Sequence, residues 1–204
     1  MISLGVRRLF QMSFIEGGAL MVTEIAGAKL VAPFYGNSLY VWAAVLGLTL
    51  GGLATGYFMG AYLSRRWPSH NVLYATMLAA ALLMALMPWT AAAIMEASLG
   101  LELRQGITVA CLVFLFPPLV CFGVASPLII RLISVDGGSA GHVAGKVYAV
   151  STLGGIVLTL LISFYTIPEI GLRQTLLGGA LLLALIPLLH FTTGVKPRSV
   201  GVRP

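Results

Sequence analysis

Charge is scarce in this sequence. Only 9% of its residues are Asp, Glu, Lys or Arg, where a soluble domain carries about 25%. Acidic residues are the scarcer kind, six against twelve basic ones. No long polar stretch occurs anywhere, which leaves no room for a separate soluble domain. Cysteine is confined to Cys111 and Cys121, ten residues apart in one apolar segment. On a helix that is roughly 15 Å of rise, too far for a mutual disulfide, so both read as packing residues. The signatures of soluble enzymes are missing too. There is no glycine-rich phosphate loop after a strand, no nucleophile elbow and no pair of aspartates.

What is abundant is apolar surface, at 59% hydrophobic residues and a mean hydropathy of +1.00. A core of this size has no use for so much, so the solvent must be lipid. The fold class is therefore all-α, a polytopic membrane bundle in one domain over residues 1–204. The net charge of +6 does not indicate nucleic acid, because the basic residues border apolar segments.

The apolar segments lie at about 9–31, 39–63, 72–95, 107–133, 147–167 and 172–191. Each has about the 20 residues that cross a hydrocarbon core. The connections at 33–38, 64–71, 96–105, 134–146 and 168–171 are short, and 192–204 forms a basic tail. Arg7, Arg8, Arg65, Arg66, Arg131, Lys146, Lys196, Arg198 and Arg203 fall on one side of the six spans, and Lys29, Arg104 and Arg173 on the other. The richer side is expected in the cytoplasm, which places both termini there, in a bacterial inner membrane. Arg7-Arg8 before an apolar run has the outline of a secretory signal. That run contains Glu16 and Glu24 and lacks a small-residue cleavage site, so it reads as an uncleaved first span.

Intramembrane charge costs roughly 2.5–3.5 kcal/mol per group on insertion scales, so Glu16, Glu24 and Lys29 are the candidate charge site. The two glutamates are eight residues apart, on nearly the same helix face and about 12 Å apart in depth. One reading is a proton or cation relay. The other is structural, with Glu24 paired to a basic side chain on another helix and Glu16 near the cytoplasmic headgroups. Lys29 can snorkel outward.

Gly52, Gly56 and Gly60 recur every fourth residue and make one smooth helix face for close packing, or for a moving or dimeric interface. Gly154 and Gly155, with Ser151 and Thr152, suggest a second packed face. Pro117-Pro118 and Pro127 should kink the fourth span. His70, His142 and His190 lie at span borders without metal-ligand spacing, so no metal and no cofactor is expected, although two of them could in principle hold a haem.

The stretches FIEGGALMVTEIAGAKLVAPFYGNS and GLTLGGLATGYFMGAYLSRR resemble the N-terminal membrane region of membrane-bound spermidine synthase-like proteins, also described as fused major-facilitator/spermidine synthase proteins. The family's glutamate, basic residue and turn glycine match Glu24, Lys29 and Gly36, with Tyr35 where Phe is usual. Its ending on span two matches Gly60 to Arg66, including Arg65, and is also similar to a loop motif of major-facilitator carriers. Further on, Gly141, His142, Gly145, Lys146 and Tyr148, then STLGGIVLTLLISFYTIPEIGLRQT, resemble another family run. The matching positions are Thr152, Leu153, Gly154, Pro168, Gly171, Leu172 and Arg173, and Ser151 replaces the usual Asn. The likeness covers about 14–183.

The resemblance implies six helices arranged like half of a major-facilitator carrier. Relatives with aminopropyltransferase activity carry a soluble catalytic domain after such spans, and no counterpart occurs in this sequence. The expectation is thus a non-catalytic membrane module, an anchoring or assembly subunit of a larger membrane complex. Its partners would be the lipid bilayer and other membrane subunits or a second copy, with no nucleic acid. The alternative is a transporter moving a polyamine or other small cation as a homodimer. A haem-binding electron-transfer subunit is a further alternative.

Overall fold

The first helix, α1 (Leu4–Tyr35), runs through the middle of the bundle. It packs against α2 (Leu39–Arg66), α3 (His70–Ser98), α4 (Leu103–Phe114), α5 (Phe116–Ser134), α6 (Ala140–Leu161) and α8 (Leu172–Thr192). Between α6 and α8 come a π-helical turn (Ile162–Thr166) and the short α7 (Ile167–Ile170). This computed structural model describes residues 4–134 and 139–192, and no strand occurs among them. Asp136, Gly137 and Gly138 of the fourth connection, and Lys196, Arg198 and Arg203 of the tail, lie outside the described residues.

Five helical stretches are long and apolar enough to cross a membrane: α2, α3, α5, the continuous run Ala140–Ile170, and α8. This marks a multi-pass membrane protein. The helix α1 is not one of the five, because Glu16, Glu24 and Lys29 interrupt its apolar sequence. Its position explains how it accommodates Glu16. Met12, Ser13, Glu16, Val22, Ala26 and Val31 are buried against neighbouring helices, so much of α1 never meets lipid. The outer helices show the reverse pattern. Leu50, Phe58, Phe164 and Leu181 are exposed, and an apolar exterior is what a lipid solvent demands.

The expected fourth span, 107–133, is broken at Leu115. Pro117 and Pro118 have no N–H, so the carbonyls of Val113 and Phe114 lose their helical donors. Leu115 separates α4 from α5 while keeping helical dihedrals, and its N still bonds Cys111 O at 3.0 Å. The 12-residue α4 is about 18 Å long, too short to cross alone. The fifth segment is longer than expected at both ends. Lys146 and Tyr148 lie inside α6 rather than in or beside a loop, and Pro168 continues the helix. The π turn permits this. The missing N–H of Pro168 would orphan the Phe164 carbonyl, and the chain answers by widening, with Ile167 N–H reaching back to Ile162 O. The last connection reduces to Gly171, at φ +87 and ψ 165, a conformation essentially restricted to glycine.

Contacts give the relative directions of the helices. Ser13 bonds Val147, and Gly17 lies on Ser151, so α1 and α6 run parallel. Gly52 meets Leu119, Gly56 meets Gly123, and Gly60 meets Val124, so α2 and α5 run parallel as well. Tyr74 near the start of α3 stacks on His190 near the end of α8, while Arg173 covers Trp89, so that pair is antiparallel. These directions bring Arg8, Arg66, Arg131 and Lys146 to one end of the bundle. Arg104, over the Tyr40 ring at 4.8 Å, and Arg173, over Trp89 at 4.5 Å, mark the other end.

Candidate functional site

The α1–α6 interface is backbone against backbone. A Cβ on Gly17 would collide with the Ser151 carbonyl, one on Gly154 with the Phe14 carbonyl, and one on Gly18 with the Leu158 side chain. Ser13 Oγ donates to Val147 O at 3.0 Å across the same seam. This close approach sets Glu16 beside α6. Its side chain is 2% exposed, and Ser151 Oγ donates to Glu16 Oε2 at 3.2 Å.

Beside this pair is a cavity of about 410 Å³. Glu16, Leu20 and Met21 form its α1 wall, Leu53 and Tyr57 its α2 wall, and Ser126 its α5 wall. The α6 wall carries Tyr148, Ser151, Thr152, Gly155, Ile156, Thr159 and Leu160. Tyr57, Tyr148, Thr152 and Ile156 are exposed and mark the open side, between α2 and α6. The volume lies in the range of small-molecule sites, and the lining is apolar with a few convergent polar groups. A carboxylate accepts at about four lone-pair positions. The protein offers Glu16 one hydrogen bond, from Ser151, and no ion pair among the described residues.

Glu24 is half-buried and does not line this cavity. Eight residues turn a helix by about 80° beyond two full turns, enough to carry Glu24 off the face that holds Glu16. The expected partner for Glu24, a basic side chain on another helix, is not found among the described residues. Lys29 is exposed.

Gly52, Gly56 and Gly60 all face α5. A Cβ on Gly56 would meet the Val120 carbonyl, and one on Gly60 would lie 2.7 Å from the Val124 carbonyl. That glycine face is occupied inside the bundle. Gly155 lies at the cavity wall, where a Cβ would be 3.0 Å from the Met21 side chain. Of the residues that carry the family resemblance, Tyr148 and Thr152 line the cavity. Arg65, Arg66, Pro168 and Arg173 are exposed, and Gly171 makes the last turn. Cys111 is buried and Cys121 half-buried, and both are free thiols.

Tyr57 and Ser126 are additions that sequence reasoning missed. Gly56 is pressed against α5, so the next residue points about 100° around the helix, toward the cavity. The span also holds Tyr40, Tyr62, Thr49 and Thr55, so nothing in its composition singles Tyr57 out. His70 and His190 both lie against the Tyr74 ring, with centroids 6.2 and 4.4 Å away. No cluster of three metal-ligating side chains occurs among the described residues. No protein-family model, curated protein or solved structure matches this chain.

Proposed function

We propose that the cavity between α2 and α6 binds a small organic cation, a polyamine being the fitting class, and that the chain is a carrier-like module of the inner membrane. The observation that carries this is Glu16, a buried carboxylate with one hydrogen bond and no basic partner among the described residues, on the wall of a 410 Å³ cavity. An ammonium group supplies the charge that the protein leaves out. Tyr57 and Tyr148 add ring faces and hydroxyls suited to a cation. The apolar stretch formed by Leu53, Ile156 and Leu160 suits the methylene chain between amines.

In this reading six segments cross the bilayer, α1 and the paired α4–α5 included, with the basic end in the cytoplasm. The parallel pairs α1–α6 and α2–α5 are each closed on glycines, which lets their backbones approach closely. Two copies would provide twelve helices and a complete pathway. Membership of the spermidine synthase-like family is part of the same proposal and rests on the sequence likeness.

The test is equilibrium binding of spermidine to the full chain in mild detergent, with Glu16→Gln as the variant. Hydrogen bonds to charged groups contribute about 1.5–3 kcal/mol, so the variant should bind at least roughly tenfold more weakly. Unchanged binding by Glu16→Gln, or no spermidine binding by wild type, defeats the reading.

A second reading, an assembly subunit whose cavity seats a partner helix, is favoured by the open side and its apolar lining. Stoichiometric co-purification of another membrane protein, lost on substituting Ile156→Trp, would select it.

A further inference from the structure

A second cavity, of about 300 Å³, opens at the basic end of the bundle, far along α1 from the Glu24 end. Arg8 and Gln11 of α1, Tyr74 of α3, and Ile186, Leu189 and His190 of α8 line it. Three helices thus contribute a guanidinium, an amide, a phenol and an imidazole to one concavity. His190 Nε2 and Asn71 Oδ1 are 3.3 Å apart, which fixes the ring on the α3 side, and the Tyr74 ring stacks against it at 4.4 Å between centroids.

Tyr74 is the telling residue. It is 3% exposed, yet its hydroxyl makes no hydrogen bond among the described residues. Its oxygen is not sealed within the protein but opens on the cavity, where an occupant can bond it. Arg8, in turn, has no carboxylate to pair with among the described residues. The unmet groups are a permanent cation and donors around it, while Ile186 and Leu189 form an apolar wall. That combination fits an anion attached to an apolar body, at the depth where helix ends meet headgroups. Basic pockets between membrane helices at the cytoplasmic surface take up anionic headgroups in this way.

The geometry points to a phosphate-binding site formed by Arg8, Gln11, Tyr74 and His190, occupied by the phosphate of an anionic phospholipid whose acyl chain lies on Ile186 and Leu189. This site is independent of the cation cavity, which is lined by none of the same residues.

The experiment is thermal unfolding of the purified full chain in a neutral detergent, with phosphatidylglycerol, phosphatidylcholine or inorganic phosphate added at matched concentrations. Wild type should be stabilised by phosphatidylglycerol well beyond phosphatidylcholine. Arg8→Gln should lose that preference, with affinity for the anionic lipid falling roughly fivefold. Tyr74→Phe, which keeps the ring stacking, should weaken it by a smaller factor with unfolding in detergent alone unchanged. Arg7→Gln removes the same charge one residue away, outside the cavity, and should keep the preference. Equal stabilisation by the two lipids together with no Arg8-dependent shift from inorganic phosphate overturns the site, and so does an equal loss in Arg7→Gln and Arg8→Gln. Should Arg8→Gln fail to fold, a Tyr74→Phe protein with wild-type lipid preference overturns it instead. An Arg8-dependent shift with inorganic phosphate alone upholds the site and names free phosphate as its ligand. The lipid is the ligand if only phosphatidylglycerol gives the shift.

Discussion

Ser151 on α6 donates its hydroxyl to the Glu16 carboxylate on α1 at 3.2 Å, while its own backbone carbonyl lies against Gly17. One residue thus sets both the closeness of the two helices and the surroundings of the buried acid. The glycines are what make the arrangement possible, and they give the first prediction. Gly154→Ala and Gly17→Ala each place a methyl group on a backbone carbonyl, which no rotamer change relieves. Overpacking of this kind costs about 1–3 kcal/mol. Both variants should unfold at lower temperature in detergent. Gly178→Ala, with nothing within 4 Å of the added carbon, should hold or slightly gain stability. A Gly154→Ala protein as stable as the Gly178→Ala protein would contradict the close-packed seam.

Tyr57 separates two contributions to the cation site. Its ring face attracts an ammonium, while its hydroxyl adds a polar contact. Tyr57→Phe keeps the ring and should bind spermidine within about threefold of wild type. Tyr57→Leu removes the quadrupole and should lose about 0.5–2 kcal/mol of binding. Isothermal titration of the three proteins reads the difference directly. Equal binding by the Phe and Leu variants would remove the ring from the site.

Gly171 carries the turn between α7 and α8 at φ +87 and ψ 165. A side chain there costs about 1–3 kcal/mol in backbone strain. Gly171→Ala should lower the unfolding temperature although no neighbour lies close enough to crowd the methyl beyond Gln174 Oε1 at 3.2 Å. Gly36→Ala, at φ +74 with nothing within 4 Å, should lose stability for the same reason. Calorimetry of the two variants against Gly178→Ala isolates backbone strain from crowding.

How far the sequence foretells this structure depends on the kind of signal. Apolar runs locate α2, α3 and α8 closely, because a lipid solvent enforces hydropathy over the whole length of a span. The prolines announce the break before α5, since a missing N–H acts locally. Pro168 misleads for a complementary reason. A π turn upstream absorbs it, and nothing in the local composition signals that accommodation. Glu16 stands out as an intramembrane charge, but its partner Ser151 is 135 residues away. Which residues meet across α1 and α6 depends on the packing register, and hydropathy carries no register. Tyr57 and Ser126 stay hidden for the same reason, as members of a cavity that exists only once α1, α2, α5 and α6 are assembled.

The directions of the helices make the topology testable without any knowledge of the ligand. Gly100 lies between α3 and α4, and Gly141 lies at the start of α6. Both are exposed with nothing within 4 Å, so a cysteine at either site should be tolerated. If α4 and α5 together cross the bilayer, as about 47 Å of combined helix over the 31 residues of Leu103–Phe114 and Phe116–Ser134 permits, the two positions face opposite sides. The basic end, which includes Gly141, should face the cytoplasm. In a background carrying Cys111→Ala and Cys121→Ala, a membrane-impermeant maleimide should label Gly100→Cys on intact cells and Gly141→Cys only in inverted vesicles. Labelling of both from one side would mean that α4 and α5 re-enter rather than cross, leaving an odd number of spans. Labelling with the sides exchanged would keep the six crossings, turn the basic end outward, and place the phosphate site in the opposite leaflet.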